Sequence, residues 1–355
     1  MITKLALQNF RNFTEKNFSF SNQTVIVGSN GSGKTNILES LFLLSTGKSL
    51  RAYKQEEMIL FGTDIARVKG KIKSQTEVVV LECMLTKGVL EQNGMVEKIP
   101  KKKMLVDGVS RRMVDFASHF TTVTFIPQDM DLVVASPSKR RDFLDTVLTQ
   151  TDREYHRSLL SYEKGLRSRN KLLQNIREFG GNRNALYFWD KLILKNGDYI
   201  SKKREEFIEF MNTHKTLGSN EYQVIYDRSV ISEERLKQYE REEIMAGTTL
   251  VGPHRDDLVF LLLNEKAFSE GKNLAHYGSR GEQRMGVLWA KVTEIFYIEQ
   301  NSGERPTLLL DDIFSELDDA HREIVKEVIT KQQTIMTTAD EHYVADFSGI
   351  DKIPL

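Results

Sequence analysis

The stretch VIVGSNGSGKT, residues 25–35, constrains the fold of this chain more than any other. It fits G-x-x-x-x-G-K-[ST] through Gly28, Gly33, Lys34 and Thr35. A short apolar strand leads into the glycines and KTNILESLFLLS continues with helical spacing, the strand–loop–helix setting that gives the match its meaning. Glycine lets backbone N–H groups curl round an anion, and the helix N-terminus behind them favours negative charge. Lys34 reaches for β- and γ-phosphate oxygens, and the Thr35 hydroxyl ligates Mg²⁺. Gly28, Ser29, Asn30, Gly31, Ser32, Gly33, Lys34 and Thr35 are therefore the expected phosphate-binding residues.

A phosphate loop of this class needs an acidic site on a neighbouring strand. TLLLDDIFSELDD, residues 307–319, supplies an apolar run ending in Asp311 and Asp312. Asp311, at the carboxyl end of the strand, is the expected Mg²⁺ partner. Asp312 is placed to orient or deprotonate an attacking water. Gln128 ends another strand, in FIPQDMD, and is expected to reach the metal or the water. The candidate catalytic set is Asp312, Gln128 and Lys34, and the candidate metal set is Thr35, Gln128 and Asp311. GSRGEQ, residues 278–283, opens a further helix, so its N–H groups and Ser279 form a second anion site. A capping box there requires only Ser279 and Glu282; Gly281 and Gln283 exceed it.

Residues 1–130 read as strands around one helix, with RVKGKIK, EVVVLECML and KMLVDGV as a meander. From 137 to about 179 apolar residues recur at three and four, GGN at 180–182 breaks the run, and a second helical run covers 185–214. This is an antiparallel helical hairpin with arms of about 50–60 Å. SEERLKQYEREEIMAG is a third helix, after which strands and helices alternate again. The expected division is a discontinuous α/β head, 1–130 with 249–355, and an inserted helical arm, 131–248.

Fifty basic residues balance 50 acidic ones, which neither requires nor excludes nucleic acid, because a local patch binds phosphate. The single Cys83 excludes an internal disulfide and a cysteine zinc site; it reads as core packing and fits a reducing cytoplasm. The N-terminus lacks a basic segment leading into an apolar run, and no stretch approaches the ~20 apolar residues of a membrane span. An intracellular protein with no membrane partner is expected. GPHRDD at 252–257 reads as a turn with a local Arg–Asp pair, and His254 has too few neighbouring ligands for a metal. Of the basic clusters, Lys139, Arg140 and Arg141, at the start of the helical arm, are the first choice for DNA contact. No segment resembles a base-reading helix, so binding is expected to follow DNA structure rather than sequence.

With its phosphate loop, acidic pair, Gln128 and a Ser-x-Gly-x-Gln at 279–283, the chain resembles the ABC-type ATPases. LQNFRNF at 7–13, SLR at 49–51, PSKRRDFLD at 137–145 and LVGPHRDDL at 250–258 narrow the resemblance to the RecF family of bacterial recombination and repair proteins, over essentially the whole chain. The resemblance implies an ABC-type head, a phosphate-loop sheet plus an antiparallel β subdomain, with a short inserted helical arm. It implies ATP with Mg²⁺ as cofactors and an ATP-dependent head-to-tail homodimer in which Ser279, Gly281 and Gln283 act in trans. It places Ser315 and Asp318 in the D-loop, and Arg11, with Arg51, near the nucleotide. It further implies binding of duplex DNA at gaps, work with RecO and RecR in recombinational repair and replication restart, and a place in the cytoplasm at the nucleoid. Ala339 stands where many relatives have a switch histidine, and Asp312 where transporters have Glu. Both changes imply slow hydrolysis, a timer rather than an engine, and with the resemblance a weak, DNA-stimulated ATPase is expected. A transporter subunit would have its signature about a hundred residues after the phosphate loop, as the resemblance class implies, whereas Ser279 lies 244 residues beyond Thr35. A chromosome-organising head would carry far longer heptad insertions. A phosphate-loop enzyme acting on a small substrate would leave the signature unexplained.

Overall fold

The computed structural model describes residues 1–75, 77–92, 95–263, 271–315, 319–340, 342 and 349–355. The chain forms two compact units, Met1–Met130 with Glu294–Leu355, and Asp131–Thr293.

In the first unit, five strands form an all-parallel sheet in the order Thr122–Phe125, Thr307–Asp311, Thr334–Thr338, Gln23–Val27, Asp351–Pro354. Interior parallel strands are covered on both faces, which is why TLLLD and TIMTT are buried at every position. The acidic strand is therefore not next to the phosphate-loop strand, as the sequence reading expected. Thr334–Thr338 lies between them. Helix Lys34–Thr46 follows the loop, capped by left-handed Gly33 and Gly47, and is buried along almost its whole length.

A second, antiparallel sheet runs in the order Phe13–Ser19, Ile2–Phe10, Ile65–Lys73, Val78–Thr86, Lys102–Val106, Val109–Arg111. Strict alternation along its strands sends Leu5, Leu7, Val68, Ile72, Leu81, Cys83 and Leu85 into one core with Ile37, Leu41 and Leu44 of the central helix. Each such side chain stabilises the unit by roughly 1.5–3 kcal/mol. Cys83 is buried there, and desolvation pushes its thiol up to about 12, so it packs rather than reacts. Gln333 joins the two sheets. Its Nε2 donates to the carbonyls of Ile2 (2.6 Å) and Ser21 (3.0 Å), and its Oε1 accepts from Ile2 N–H (2.8 Å) and Thr307 Oγ1 (3.0 Å). The fold class implied by the resemblance, a phosphate-loop sheet beside an antiparallel β subdomain, is what the chain adopts.

The second unit contains helices Pro137–Thr151, Arg153–Phe179 and Leu186–Thr213. The single run expected over 137–179 breaks at Asp152, whose carboxylate caps the next helix by accepting from the N–H groups of Glu154 (2.8 Å) and Tyr155 (2.9 Å). The hairpin helices have 27 and 28 residues, or about 40 Å each. The third expected helix is likewise two, Glu233–Gln238 and Glu240–Ala246.

Strand Asn220–Asp227 was not expected. It pairs antiparallel with Asp257–Leu262, from Tyr222↔Leu262 to Asp227↔Asp257, within a four-stranded sheet. That pairing draws the segment after 248 into the arm's unit, which ends at Thr293 rather than at 248. Helix Arg280–Ser302 starts within it. Trp289 stacks on Tyr222 with centroids 5.3 Å apart and donates from Nε1 to the His214 carbonyl at 2.7 Å. Among the described residues no helix is long and apolar enough to cross a membrane.

Candidate nucleotide site

The loop after Gln23–Val27 has the shape its glycines require. Gly31 and Gly33 take φ of 83° and 106°, the left-handed region closed to most side chains. A Cβ at Gly33 would lie 2.7–2.8 Å from Asn12 and Phe13 atoms. The Lys34 ammonium lies back along the loop, donating to the carbonyls of Gly28 (2.6 Å) and Ser29 (3.1 Å). The Ser32 hydroxyl is buried without a hydrogen-bond partner among the described residues. A buried donor left open beside an ammonium and a helix N-terminus fits a phosphate chain.

Thr35 Oγ1 donates to both Asp311 carboxylate oxygens, at 3.0 and 2.9 Å. Thr337 Oγ1, from the intervening strand, donates to Asp311 Oδ1 at 2.7 Å. One buried carboxylate with one threonine hydroxyl fits Mg²⁺, which keeps most of its waters. No group of three His, Cys, Asp or Glu side chains forms a metal site among the described residues. Asp312 leaves the strand with φ of 50°, held by its N–H donating to the Thr337 carbonyl (3.2 Å) and Oγ1 (3.1 Å). Thr337 thus orients both acidic residues. The sequence marks it only as one of three threonines in an apolar strand. Gln128 is exposed in the turn Pro127–Asp131, beyond the strand that flanks Thr307–Asp311, and is not joined to the Thr35–Asp311 contact.

Arg11 holds the loop's flank. Its guanidinium forks onto the fully buried Glu39 carboxylate (2.8 and 2.7 Å) and donates to the Glu57 carbonyl at 2.6 Å. Arg51 hydrogen-bonds Asn36 and lies 3.7 Å from Glu39. Asn36 Nδ2 donates to Asn12 Oδ1 at 2.7 Å, and Asn12 Nδ2 to the Ser32 carbonyl at 3.1 Å. Both arginines named from the sequence therefore reach the loop through partners it did not single out, Glu39, Asn36 and Asn12.

The 279–283 segment is a capping box and more. Glu282 N–H donates to Ser279 Oγ (3.3 Å) while Ser279 N–H donates to Glu282 Oε2 (2.6 Å). Partial burial alone would raise the Glu282 carboxyl, but hydrogen bonds from Lys272 (2.9 Å) and Ser279 outweigh it and hold it below its ordinary range. Gln283 turns inward, its Nε2 donating to the carbonyls of Leu274 (2.9 Å) and Gly278 (3.1 Å). Gln283 braces the turn from within its own chain. Ser279, Arg280 and Gly281 are exposed, and a Cβ on Gly281 would meet nothing. Among the described residues nothing requires glycine at 281. Ser315 ends the short turn Ile313–Ser315, and Asp318 lies outside the described residues.

The DNA candidates on the arm fare differently. Lys139 is exposed, but Arg140 is buried, forking onto Asp257 (2.5 and 2.9 Å) and donating to the carbonyls of Val133 and Ala135. Arg141 donates to the Asp256 carbonyl at 2.8 Å. Asp256, fully buried, accepts from Arg204 (2.8 Å), Ser229 N–H (2.8 Å) and Tyr226 OH, and Arg204 also donates to Asp145 (2.8 Å) and the Pro253 carbonyl (2.7 Å). PSKRRDFLD and GPHRDD are thus two halves of one ionic network, which engages the guanidinium groups of Arg140 and Arg141 within the unit. Tyr162 OH lies 2.8 Å from His254 Nδ1, and His254 Nε2 3.0 Å from the Thr249 carbonyl. The carbonyl can only accept, so Nε2 carries a proton. Burial lowers His254 from 6.5 to about 4. A base depressed on folding contributes stability above its unfolded pKa and loses it as pH falls, here between about 6.5 and 4. The second unit's melting temperature is expected to fall over that window, and less steeply in His254→Gln, as calorimetry at stepped pH would show.

The sequence profile of the RecF/RecN/SMC N terminal domain matches residues 1–353. The DNA replication and repair protein RecF of Lachnoclostridium phytofermentans is 33% identical over 366 residues, covering 99% of this chain and 97% of that protein. Its counterpart in Halalkalibacterium halodurans is 34% identical, covering 96% and 92%. A solved structure of the recombination mediator protein RecF with ATP superposes with a TM-score of 0.85 at 28% identity, covering 99% of this chain and 95% of that one. The Smc head domain of Pyrococcus furiosus, at TM-score 0.51 and 16% identity, shares the fold alone. With phosphate loop, acidic strand end and signature segment in order along a chain that aligns nearly end to end with these relatives, the chain belongs to the RecF family of DNA replication and repair proteins.

Proposed function

We propose that this protein is an ATP-dependent DNA-binding switch of recombinational repair, whose ATP-bound form is a head-to-tail homodimer on gapped duplex DNA. The observation that carries the reading is the pair of half-sites. One is the Thr35–Asp311 contact below a phosphate loop with an open Ser32 hydroxyl. The other is an exposed helix N-terminus, Ser279 to Gly281, whose glycine answers to nothing among the described residues. Bound ATP with Mg²⁺ supplies the γ-phosphate that links two chains and whose hydrolysis releases them. Lys34 exchanges the carbonyls of Gly28 and Ser29 for phosphate oxygens, and Thr35, positioned by Asp311, faces the metal. Asp312 holds and deprotonates water. Ala339, at the end of Thr334–Thr338, offers no imidazole to assist, which supports slow turnover. RecO and RecR are the proposed partners, since a relative of this fold is described within the RecFOR pathway.

Light scattering of the full chain tests the dimer. The mass is expected to double on addition of ATP and Mg²⁺, and an unchanged mass would overturn the proposal. Lys34→Met is expected to weaken nucleotide binding by about 10- to 100-fold, the loss of one charge-assisted contact, measured by titration calorimetry. Asp312→Asn should bind ATP like the parent chain but keep the dimer together long after the parent has dissociated.

A further inference from the structure

The outer face of the antiparallel sheet carries a charge pattern that folding does not explain. Along strand Ile65–Lys73 burial alternates, and after half-buried Ile65 all four exposed positions are basic: Arg67, Lys69, Lys71 and Lys73. Register extends the stripe sideways. Lys4 lies directly opposite Lys71, and Arg67 lines up through Met84 with Lys103. All six side chains are exposed. Only Glu82, opposite Lys69, and Glu15, opposite Gln8, bring negative charge to these cross-strand rows. None of the six basic side chains makes an ion pair among the described residues. Like charges directly opposite each other, such as Lys4 and Lys71, destabilise a sheet. A solvated face would normally intersperse acidic partners.

We infer that this stripe is the surface that tracks the sugar–phosphate backbone of duplex DNA; the inference rests on the DNA-binding reading above. From Arg67 to Lys73 the charges span about 20 Å, with successive side chains roughly 7 Å apart on one face. A duplex presents one phosphate per ~1.7 Å of axis, so several charges can be met at once and their mutual repulsion is relieved. The stripe lies on the rigid sheet that packs on the helix of the nucleotide loop, and it reads no bases. This places the first DNA contact on the head, where the sequence reading favoured the arm.

The test is fluorescence anisotropy of the full chain with ATP and a labelled gapped duplex, titrated with salt. Lys69→Gln/Lys71→Gln/Lys73→Gln is expected to weaken binding about tenfold or more and to lower the log–log salt slope by roughly 2–3. Replacing the same three by Arg should keep both near the parent values, and ATP affinity should be unchanged in each, which separates lost charge from lost fold. An unchanged slope in the Gln variant, or a loss that Arg does not rescue, would overturn the inference while leaving the proposed function standing. If the parent chain itself binds no DNA with ATP, the proposed function fails first.

Discussion

Ser279→Arg is expected to leave ATP binding by the single chain intact while abolishing the ATP-dependent dimer. The residue belongs to no part of the loop that holds nucleotide in its own chain. It is exposed at the N-terminus of Arg280–Ser302, where it exchanges hydrogen bonds with Glu282 and its carbonyl accepts from Gln283 N–H (2.9 Å). Losing the Oγ cap costs about 0.5–2 kcal/mol of local helix stability, so a second variant is needed to separate capping from contact. Ser279→Asp supplies it. A carboxylate caps a helix as well as a hydroxyl, yet it would set a negative charge against the partner's γ-phosphate. Both variants should stay at monomer mass with ATP in light scattering, with nucleotide affinity within about twofold of the parent chain. A dimeric Ser279→Asp would show that this helix end does not meet phosphate.

Arg204→Met is expected to cost about 3–5 kcal/mol of stability, because it strands two carboxylates inside the second unit. Arg204 is 2% exposed and serves Asp145 and Asp256 at 2.8 Å each. Burial already pushes the Asp256 carboxyl upward, and Arg204 is the main attraction opposing it. Removing the guanidinium leaves only the hydrogen bonds from Tyr226 and Ser229 to oppose desolvation at Asp256. The triple change Arg204→Met with Asp145→Asn and Asp256→Asn should lose less than the single one, since no buried charge is then unpaired. Urea unfolding of the three chains gives the comparison. By contrast, Lys139→Ala should stay within about 0.5 kcal/mol of the parent, as an exposed side chain should.

The parts legible in the sequence were those where one residue type answers one local demand. Gly31 and Gly33 stand where φ is positive, and the buried strands around them read as continuous apolar runs. Partnerships across long separations were not legible. Nothing near residue 140 announces Asp257, 117 positions away, so three basic residues in a row looked like a surface. Asn220–Asp227 is hard to read because its apolar alternation is imperfect, with Ile225 exposed directly after buried Val224. Missing that strand also misplaced the end of the arm unit. The basic stripe went unremarked for the opposite reason. In RVKGKIK the apolar alternation identifies a strand, but its basic half gains meaning only from the neighbours that the sheet register supplies.

The left-handed backbone at residue 312 bears on which side chains that position can hold. Asp and Asn visit this region because their short polar groups bond locally, whereas a longer chain such as Glu pays a steric penalty of about 1–2 kcal/mol. With φ at 50°, Asp312 is more than a shortened Glu. Grafting Glu there would have to reshape the strand exit first, so the choice of acid at 312 and the local backbone geometry change together.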